Sequence, residues 1–328
     1  MMEFLKDRYG RRVNYLRISV TDRCNLRCHY CMPLHGLQFH KKEEILSFEE
    51  IVHTVQIANR LGIDRARLTG GEPLVRRDLP VLIKMLRNET DLKELSLTTN
   101  GLLLERLAEE LATSGLDWIN VSLDSLRPDR FTRITRFGLL ETVWAGLRRA
   151  TEVGLKPIKI NTLVLKNFNE DEVEDWLDLT MNNEFVVRFL ELMPIGEGAD
   201  LTHLGGFANL SEIRNELIEK FGLVPAKPGR GNGPARYWKV PGAKGMIGFI
   251  LPISEKYCDT CNRFRLTANG EIRPCLAYDV HVKLLDVIRA GDEDAIRAGF
   301  LEAADMKPEG HHWEVGQVTQ TLMSSLGG

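Results

Sequence analysis

Through the first two thirds of the chain, short runs of alternating apolar and polar residues are separated by longer segments whose apolar residues recur every three or four positions. A period of two marks a strand, and a period near 3.6 marks a helix. The alternation predicts strands over Tyr15–Val20, Arg65–Thr69, Glu94–Thr98, Trp118–Asp124, Ile158–Leu165 and Phe185–Leu192. The longer period predicts helices such as Phe48–Leu61, Leu102–Thr113 and Leu139–Val153. Ser47 and Glu50 form a capping box ahead of the first of these, and Gly62 stands where its C-terminal cap belongs. Six strand–helix repeats in series imply an α/β fold with a parallel sheet, most simply a partial (β/α)6 barrel of TIM type.

Strands buried on both faces of such a sheet read as continuous apolar runs. Here Arg17 and Ser19 alternate with Leu16, Ile18 and Val20, and Ser96 and Thr98 with Leu95 and Leu97. Asn120, Ser122 and Asp124 alternate with Ile119, Val121 and Leu123, and Lys159 and Asn161 with Ile158 and Ile160. The helices must cover the apolar face, so the polar face lines the interior. A polar lumen points to a large, charged ligand. After about Phe221 the pattern breaks into a Pro- and Gly-rich stretch running from Pro225 to Gly245. The expected organisation is a barrel over residues 1–221 and a smaller C-terminal lobe over 222–328.

Composition narrows the function classes. The 328 residues are 43% hydrophobic and 27% charged, enough for a large core plus an appended lobe. A formal net charge of −3 argues against a general binder of nucleic acid or of membrane surfaces, so any anion site must be a local concentration of Arg and Lys. No window approaches the run of about 18 apolar residues that a membrane span needs. Met1 to Arg8 lack the apolar region of a signal peptide, so a cytoplasmic location is expected. The six cysteines fall into two groups of three, Cys24, Cys28, Cys31 and Cys258, Cys261, Cys275. Three disulfides would suit a short secreted chain; clustered cysteines in a chain of this kind point to metal.

The first group lies in Thr21-Asp22-Arg23-Cys24-Asn25-Leu26-Arg27-Cys28-His29-Tyr30-Cys31, directly after the first strand. Three thiolates on a [4Fe–4S] cubane leave one iron open to an outside ligand. Structural zinc, with His29 or His35 as a fourth ligand, is the alternative. The C-x3-C-x2-C spacing with an aromatic residue before the last cysteine resembles the radical S-adenosylmethionine superfamily. Membership implies that the open iron chelates S-adenosylmethionine and that the cluster's electron yields a 5′-deoxyadenosyl radical. Thr69-Gly70-Gly71-Glu72-Pro73 looks like the superfamily's loop for the methionine amino group. The resemblance implies that Tyr30, Gly71, Glu72, Ser122 and Met193 contact S-adenosylmethionine.

The second group, in Tyr257-Cys258-Asp259-Thr260-Cys261-Asn262-Arg263-Phe264-Arg265 and Arg273-Pro274-Cys275, resembles the GTP 3′,8-cyclase family of molybdenum cofactor biosynthesis, from Gly10-Arg11-Arg12 to Gly327-Gly328. That likeness implies a second [4Fe–4S] cluster in the C-terminal lobe, facing the guanine. It carries the GTP contacts onto Arg17, Arg67, Thr98, Lys159, Arg263, Phe264 and Arg265, and catalytic roles onto Arg17, Gly327 and Gly328. Arg263 and Arg265, two apart in an extended segment, point the same way. Buried cations without acids repel one another unless an anion fills the space, which suits a triphosphate. The family further implies flavodoxin or ferredoxin as reductant, product hand-over to cyclic pyranopterin monophosphate synthase, and a monomer or homodimer. A peptide-modifying maturase with an auxiliary cluster and a two-cluster electron carrier are the alternatives.

Overall fold

The computed structural model describes residues 4–326 except 36, 202 and 232. Six strands, β1 (Tyr15–Ser19), β2 (Arg65–Thr69), β3 (Glu94–Thr99), β4 (Trp118–Ser122), β5 (Ile158–Leu163) and β6 (Val186–Leu190), lie parallel in chain order. Between them run α1 (Phe48–Arg60), α2 (Leu79–Glu89), α3 (Leu104–Thr113), α4 (Pro128–Thr135), α5 (Leu140–Glu152) and α6 (Val173–Asn182). The capping box forms at α1: the Glu50 N–H donates to Ser47 Oγ at 3.2 Å, and the Ser47 N–H to Glu50 Oε2 at 2.6 Å. Gly62 closes that helix at φ +84°, a left-handed turn that suits glycine. Strands β1, β4, β5 and β6 are slightly shorter than the alternation predicts, β2 matches it and β3 runs one residue further. Asp124 and Leu165 already lie in loops, where Asp124 accepts from the Leu163 N–H and the Leu165 N–H donates to Asn169 Oδ1.

The C-terminal part extends this sheet at both edges. After α7 (Leu210–Phe221) come β7 (Val224–Ala226), β8 (Arg236–Lys239), β9 (Met246–Ile250), β10 (Arg263–Leu266), β11 (Glu271–Arg273) and β12 (Val282–Lys283), then α8 (Leu285–Ala290), α9 (Glu293–Asp305) and α10 (Met323–Leu326). Strand β9 joins β6 in parallel, and β10 joins β1 in parallel. The order is β12-β11-β10-β1-β2-β3-β4-β5-β6-β9-β8-β7, with antiparallel partners shielding what would be bare strand edges.

The sheet curls. Tyr15 on β1 and Arg188 on β6 are five strands apart, about 24 Å on a flat sheet, yet each feels the other's charge. Arg67 and Lys159, three strands apart, do the same. Leu16, Ile18, Leu68, Leu95, Leu97, Ile119, Val121 and Ile160 are buried on the convex face against the helices. Each such side chain contributes roughly 1.5–3 kcal/mol when fully buried. A one-residue slip in any strand would expose its whole set, so the register, and with it the identity of the lumen residues, is strongly specified.

Candidate active site

The first cysteine group occupies the loop that leaves the C-terminal end of β1. The N–H groups of Cys31 and Met32 both donate to the Cys28 carbonyl, at 2.9 and 3.0 Å, a tight turn that brings the last two thiols together. The three thiols act on one another electrostatically. Burial pushes Cys24 up to about 11 and Cys31 up to about 12, and lifts Cys28 well above its usual range. Thiols this costly to ionise alone suit an iron centre, which draws out the thiolate form. A hollow of about 390 Å³ lined by Cys24, Asn25, Arg27, Leu34, His35 and Phe137 opens beside them.

The Gly70-Gly71-Glu72 loop after β2 is stitched to this cysteine loop. Gly71 N–H donates to the Thr21 carbonyl and Glu72 N–H to the Arg23 carbonyl, both at 2.8 Å. A Cβ on Gly70 would stand 2.6 Å from the Thr21 oxygen, and one on Gly71 2.4 Å from the Arg23 oxygen. The close approach of two backbones therefore demands both glycines. Glu72 is buried and accepts from Leu74 N–H (3.0 Å), Thr99 Oγ1 (2.7 Å) and Asn100 N–H (2.6 Å), while burial pushes its carboxyl up to about 7. The Tyr30 hydroxyl donates to Asp124 at 2.9 Å, and Asp124 also accepts from Leu163 N–H. A Cβ on Gly198 would lie 2.8 Å from the Met193 carbonyl and 3.5 Å from that of Tyr30. Tyr30, Gly71, Glu72, Ser122 and Met193 thus gather at the C-terminal mouth of the parallel strands.

Below that mouth the lumen is cationic. The register aligns Arg265, Arg17 and Arg67 across β10, β1 and β2, and Ser122, Asn161 and Arg188 across β4, β5 and β6. Neighbouring strands are about 4.8 Å apart, so two cations side by side repel by about 3 kcal/mol at an effective dielectric constant of 20. Burial, then Arg265 and Arg67, holds Arg17 well below its usual range. Burial, then Arg188 and Arg67, lowers Lys159 to about 7. Lys159 donates to the Arg230 carbonyl at 2.7 Å and stands 4.8 Å over the Trp118 ring. Arg188 donates to Asn120 Oδ1 at 2.5 Å, and Arg67 to Ser96 Oγ at 3.2 Å. The buried Thr98 Oγ1, Trp118 Nε1 and Asn161 Oδ1 have no partner among the described residues. Unmet polar atoms beside crowded cations fit a polar, polyanionic ligand.

The second cysteine group sits at the other end. Cys258 and Cys261 precede β10, and the Cys261 N–H donates to the Cys258 carbonyl at 3.0 Å. The antiparallel pairing of Arg265 with Arg273 returns the chain so that Cys275 comes within their electrostatic reach. Since β10 runs parallel to β1, this group lies at the N-terminal end of the strands. The five residues of β1 separate the groups by roughly 16 Å along the lumen. Its surroundings carry the opposite charge: burial pushes the Cys261 thiol up, but Lys307 and Arg263 outweigh burial and hold it below its usual value. Burial keeps Cys275 raised.

The C-terminal segment is drawn into the same space. Asp279 accepts from the N–H groups of Gln320 (3.1 Å) and Thr321 (3.0 Å) and from the Thr321 hydroxyl. Arg273 donates to Thr321 Oγ1 at 3.0 Å, and Arg265 to the Leu326 carbonyl at 2.7 Å. Leu326 packs with Ile195, Ala277 and Trp313, alongside Met193 and Cys275. Gly327 and Gly328 lie outside the described residues.

One assignment needs correcting. Phe264 pairs with Leu16, is fully buried, and belongs to the helix-covered core, so its side chain does not face the lumen with Arg263 and Arg265. The reason is the strand period: the middle residue of three must point away from its neighbours. Arg188, Asp124, Trp118 and Lys307 were not among the assigned site residues. The first three lie on or just after predicted strands, on their polar side, and were open to detection; Lys307, in a loop after α9, carries no periodic signal.

Residues 18–180 match the Radical SAM superfamily, and residues 185–313 match Molybdenum Cofactor Synthesis C. The GTP 3′,8-cyclase of Petrotoga mobilis is 45% identical over 323 residues, covering 98% of this chain and 99% of the relative. The GTP 3′,8-cyclase of Moorella thermoacetica is 42% identical over 325 residues, covering 99% and 100%. Among solved structures, Streptococcus suis SuiB bound to S-adenosylmethionine superposes with a TM-score of 0.60 at 15% identity, over 89% of this chain and 69% of that one. That last likeness is one of fold.

Proposed function

The chain belongs to the GTP 3′,8-cyclases, radical S-adenosylmethionine enzymes of molybdenum cofactor biosynthesis, and from this premise we propose how its residues divide the work. The reaction converts GTP to (8S)-3′,8-cyclo-7,8-dihydroguanosine 5′-triphosphate and uses two [4Fe–4S] clusters and S-adenosylmethionine. We assign Cys24, Cys28 and Cys31 to the first cluster and Cys258, Cys261 and Cys275 to the second. Held by these residues, the first cluster together with S-adenosylmethionine would supply the one-electron chemistry that removes a hydrogen atom from the ribose of GTP. Glu72 and the backbone of Gly71 receive the methionine end of S-adenosylmethionine, with Tyr30, Ser122 and Met193 around the rest.

One observation carries the GTP assignment: Arg17, Arg67, Lys159, Arg188 and Arg265 face one lumen between the two cysteine groups. A triphosphate offsets their repulsion, and guanidinium groups grip it in a fixed fork. Thr98, whose buried hydroxyl lacks a partner among the described residues, and Arg263 complete the cradle. The protein's task is to orient the ribose toward the first group and the base toward the second, and to keep water out. Residues 1–221 supply the six central strands of the barrel, and 222–328 the strands that extend its edges and the lobe that covers the substrate. Flavodoxin or ferredoxin as reductant, hand-over to cyclic pyranopterin monophosphate synthase and a cytoplasmic setting belong to the same reading.

The test is anaerobic reconstitution with dithionite, S-adenosylmethionine and GTP. The expected result is GTP-dependent 5′-deoxyadenosine together with the cyclised triphosphate. Cleavage of S-adenosylmethionine that leaves GTP unchanged would overturn the assignment.

A further inference from the structure

Lys307 follows α9 and is 2% exposed. Its ammonium donates to the carbonyl oxygens of Arg263, at 3.0 Å, and Pro274, at 2.6 Å. Arg263 is two residues beyond Cys261, and Pro274 directly precedes Cys275. The same ammonium stands 5.6 Å from the centre of the Phe264 ring, and its positive charge acts on the Cys261 thiol. No carboxylate among the described residues pairs with it.

An unpaired buried ammonium costs several kcal/mol, so it persists only where an anion answers it. The anions within its reach are the thiolates of the second cysteine group. The first group is placed differently: Asp124 accepts from the hydroxyl of Tyr30, between Cys28 and Cys31. Glu72 accepts from the N–H of Asn100, whose side-chain amide lies 3.9 Å from the Cys24 sulfur, with Arg27 donating to the Cys24 carbonyl. Positive charge and hydrogen bonds to sulfur favour the reduced form of an iron–sulfur cluster, while negative charge disfavours it.

We propose that Lys307 is a positioning residue of the second cysteine group, joining the backbones before and after it and acting as the buried counter-charge that sets the second cluster's potential above the first's. This rests on the assignment of Cys258, Cys261 and Cys275 to the second cluster. Two contacts set the main chain around Cys261 and Cys275, and the charge facing Cys261 stabilises added negative charge. The two clusters would then differ in potential because the chain surrounds one with acids and the other with a lysine.

The test uses the full chain carrying Cys24→Ser, Cys28→Ser and Cys31→Ser, so that only the second group can hold iron. If this parent binds no iron, the ligand assignment fails before Lys307 is tested. With about four irons bound, its potential is read by an EPR-monitored redox titration, alongside a chain with the second group replaced by serine. The second cluster should titrate at the higher potential. Lys307→Met and Lys307→Gln should each shift the reduced-to-oxidised ratio at fixed potential at least tenfold toward oxidised, about 59 mV for one electron, and Lys307→Arg should restore most of it. Glutamine keeps a donor for the two carbonyls without the charge, so it decides the matter if methionine does not assemble. An iron-loaded Lys307→Gln protein with the parent's potential would overturn the proposal, as would a second cluster titrating below the first.

Discussion

Lys159 shows how a single lumen residue is tuned by its neighbours. Burial beside Arg188 and Arg67 lowers it to about 7 from an ordinary 10.5. Between those values the unfolded chain holds the extra proton, so this group makes folding more favourable as pH rises through that window. A bound polyanion acts in the other direction by raising Lys159. GTP binding above pH 7 should therefore take up a proton, and affinity should fall by up to about tenfold per pH unit. Calorimetry at pH 8 in two buffers of different ionisation enthalpy measures the uptake; none is expected in Lys159→Met, which should also bind GTP more weakly and melt at a higher temperature without ligand. Arg265 has two duties, facing the lumen and holding the Leu326 carbonyl. Arg265→Ala should weaken GTP far more than guanosine, by about 10- to 150-fold for one charge-assisted hydrogen bond of ~1.5–3 kcal/mol. Equal losses for the two ligands, measured by equilibrium binding, would make its part structural.

Loops, rather than strands, carry the most exacting geometry in this protein. The Gly70-Gly71-Glu72 turn lies against the backbone of the cysteine loop with no space for a side chain. Gly71→Ala must push its Cβ off the Arg23 oxygen, and the cysteine loop has to give way. We expect iron in the first site and 5′-deoxyadenosine formation to drop at least tenfold, with GTP binding within about twofold of the parent, since no lumen residue moves. The C-terminal segment is the second such element. Terminal residues are usually frayed, but here Asp279, Arg273 and Arg265 anchor residues 320–326. Two glycines beyond that anchor can thread a crowded pocket because they have no Cβ. Removing Gly327 and Gly328, or appending a tag, should nearly abolish cyclisation while iron content and GTP affinity hold. A tagged protein cyclising GTP at the untagged rate would show the tail to be dispensable.

At the scale of the whole molecule, the parallel direction of β1 and β10 puts the two cysteine groups at opposite ends of one lumen. Chemistry begun at one end can then act on a substrate held at the other. Reconstituted protein should hold about eight irons. Cys24→Ser should abolish cleavage of S-adenosylmethionine, whereas Cys258→Ser should retain part of it and lose the cyclised product. Equal loss of 5′-deoxyadenosine in both, with the first cluster intact by Mössbauer spectroscopy, would refute the division.

The sequence by itself determined the six central strands to within a few residues, the side of each that faces inward, and the two cysteine groups. These are local: a period of two sets which side chains share a face whatever the partner strand. By the same rule Phe264, between Arg263 and Arg265, was bound to face the core, a local signal that the family likeness obscured. Tertiary structure alone decided that β9 and β10 extend the two edges of the barrel and that the C-terminal segment reaches Arg265. It alone placed Lys307 against the main chain beside Cys261 and Cys275. Pairings across hundreds of residues are settled by which buried surfaces and charges can be satisfied together, and no short window of sequence holds that information.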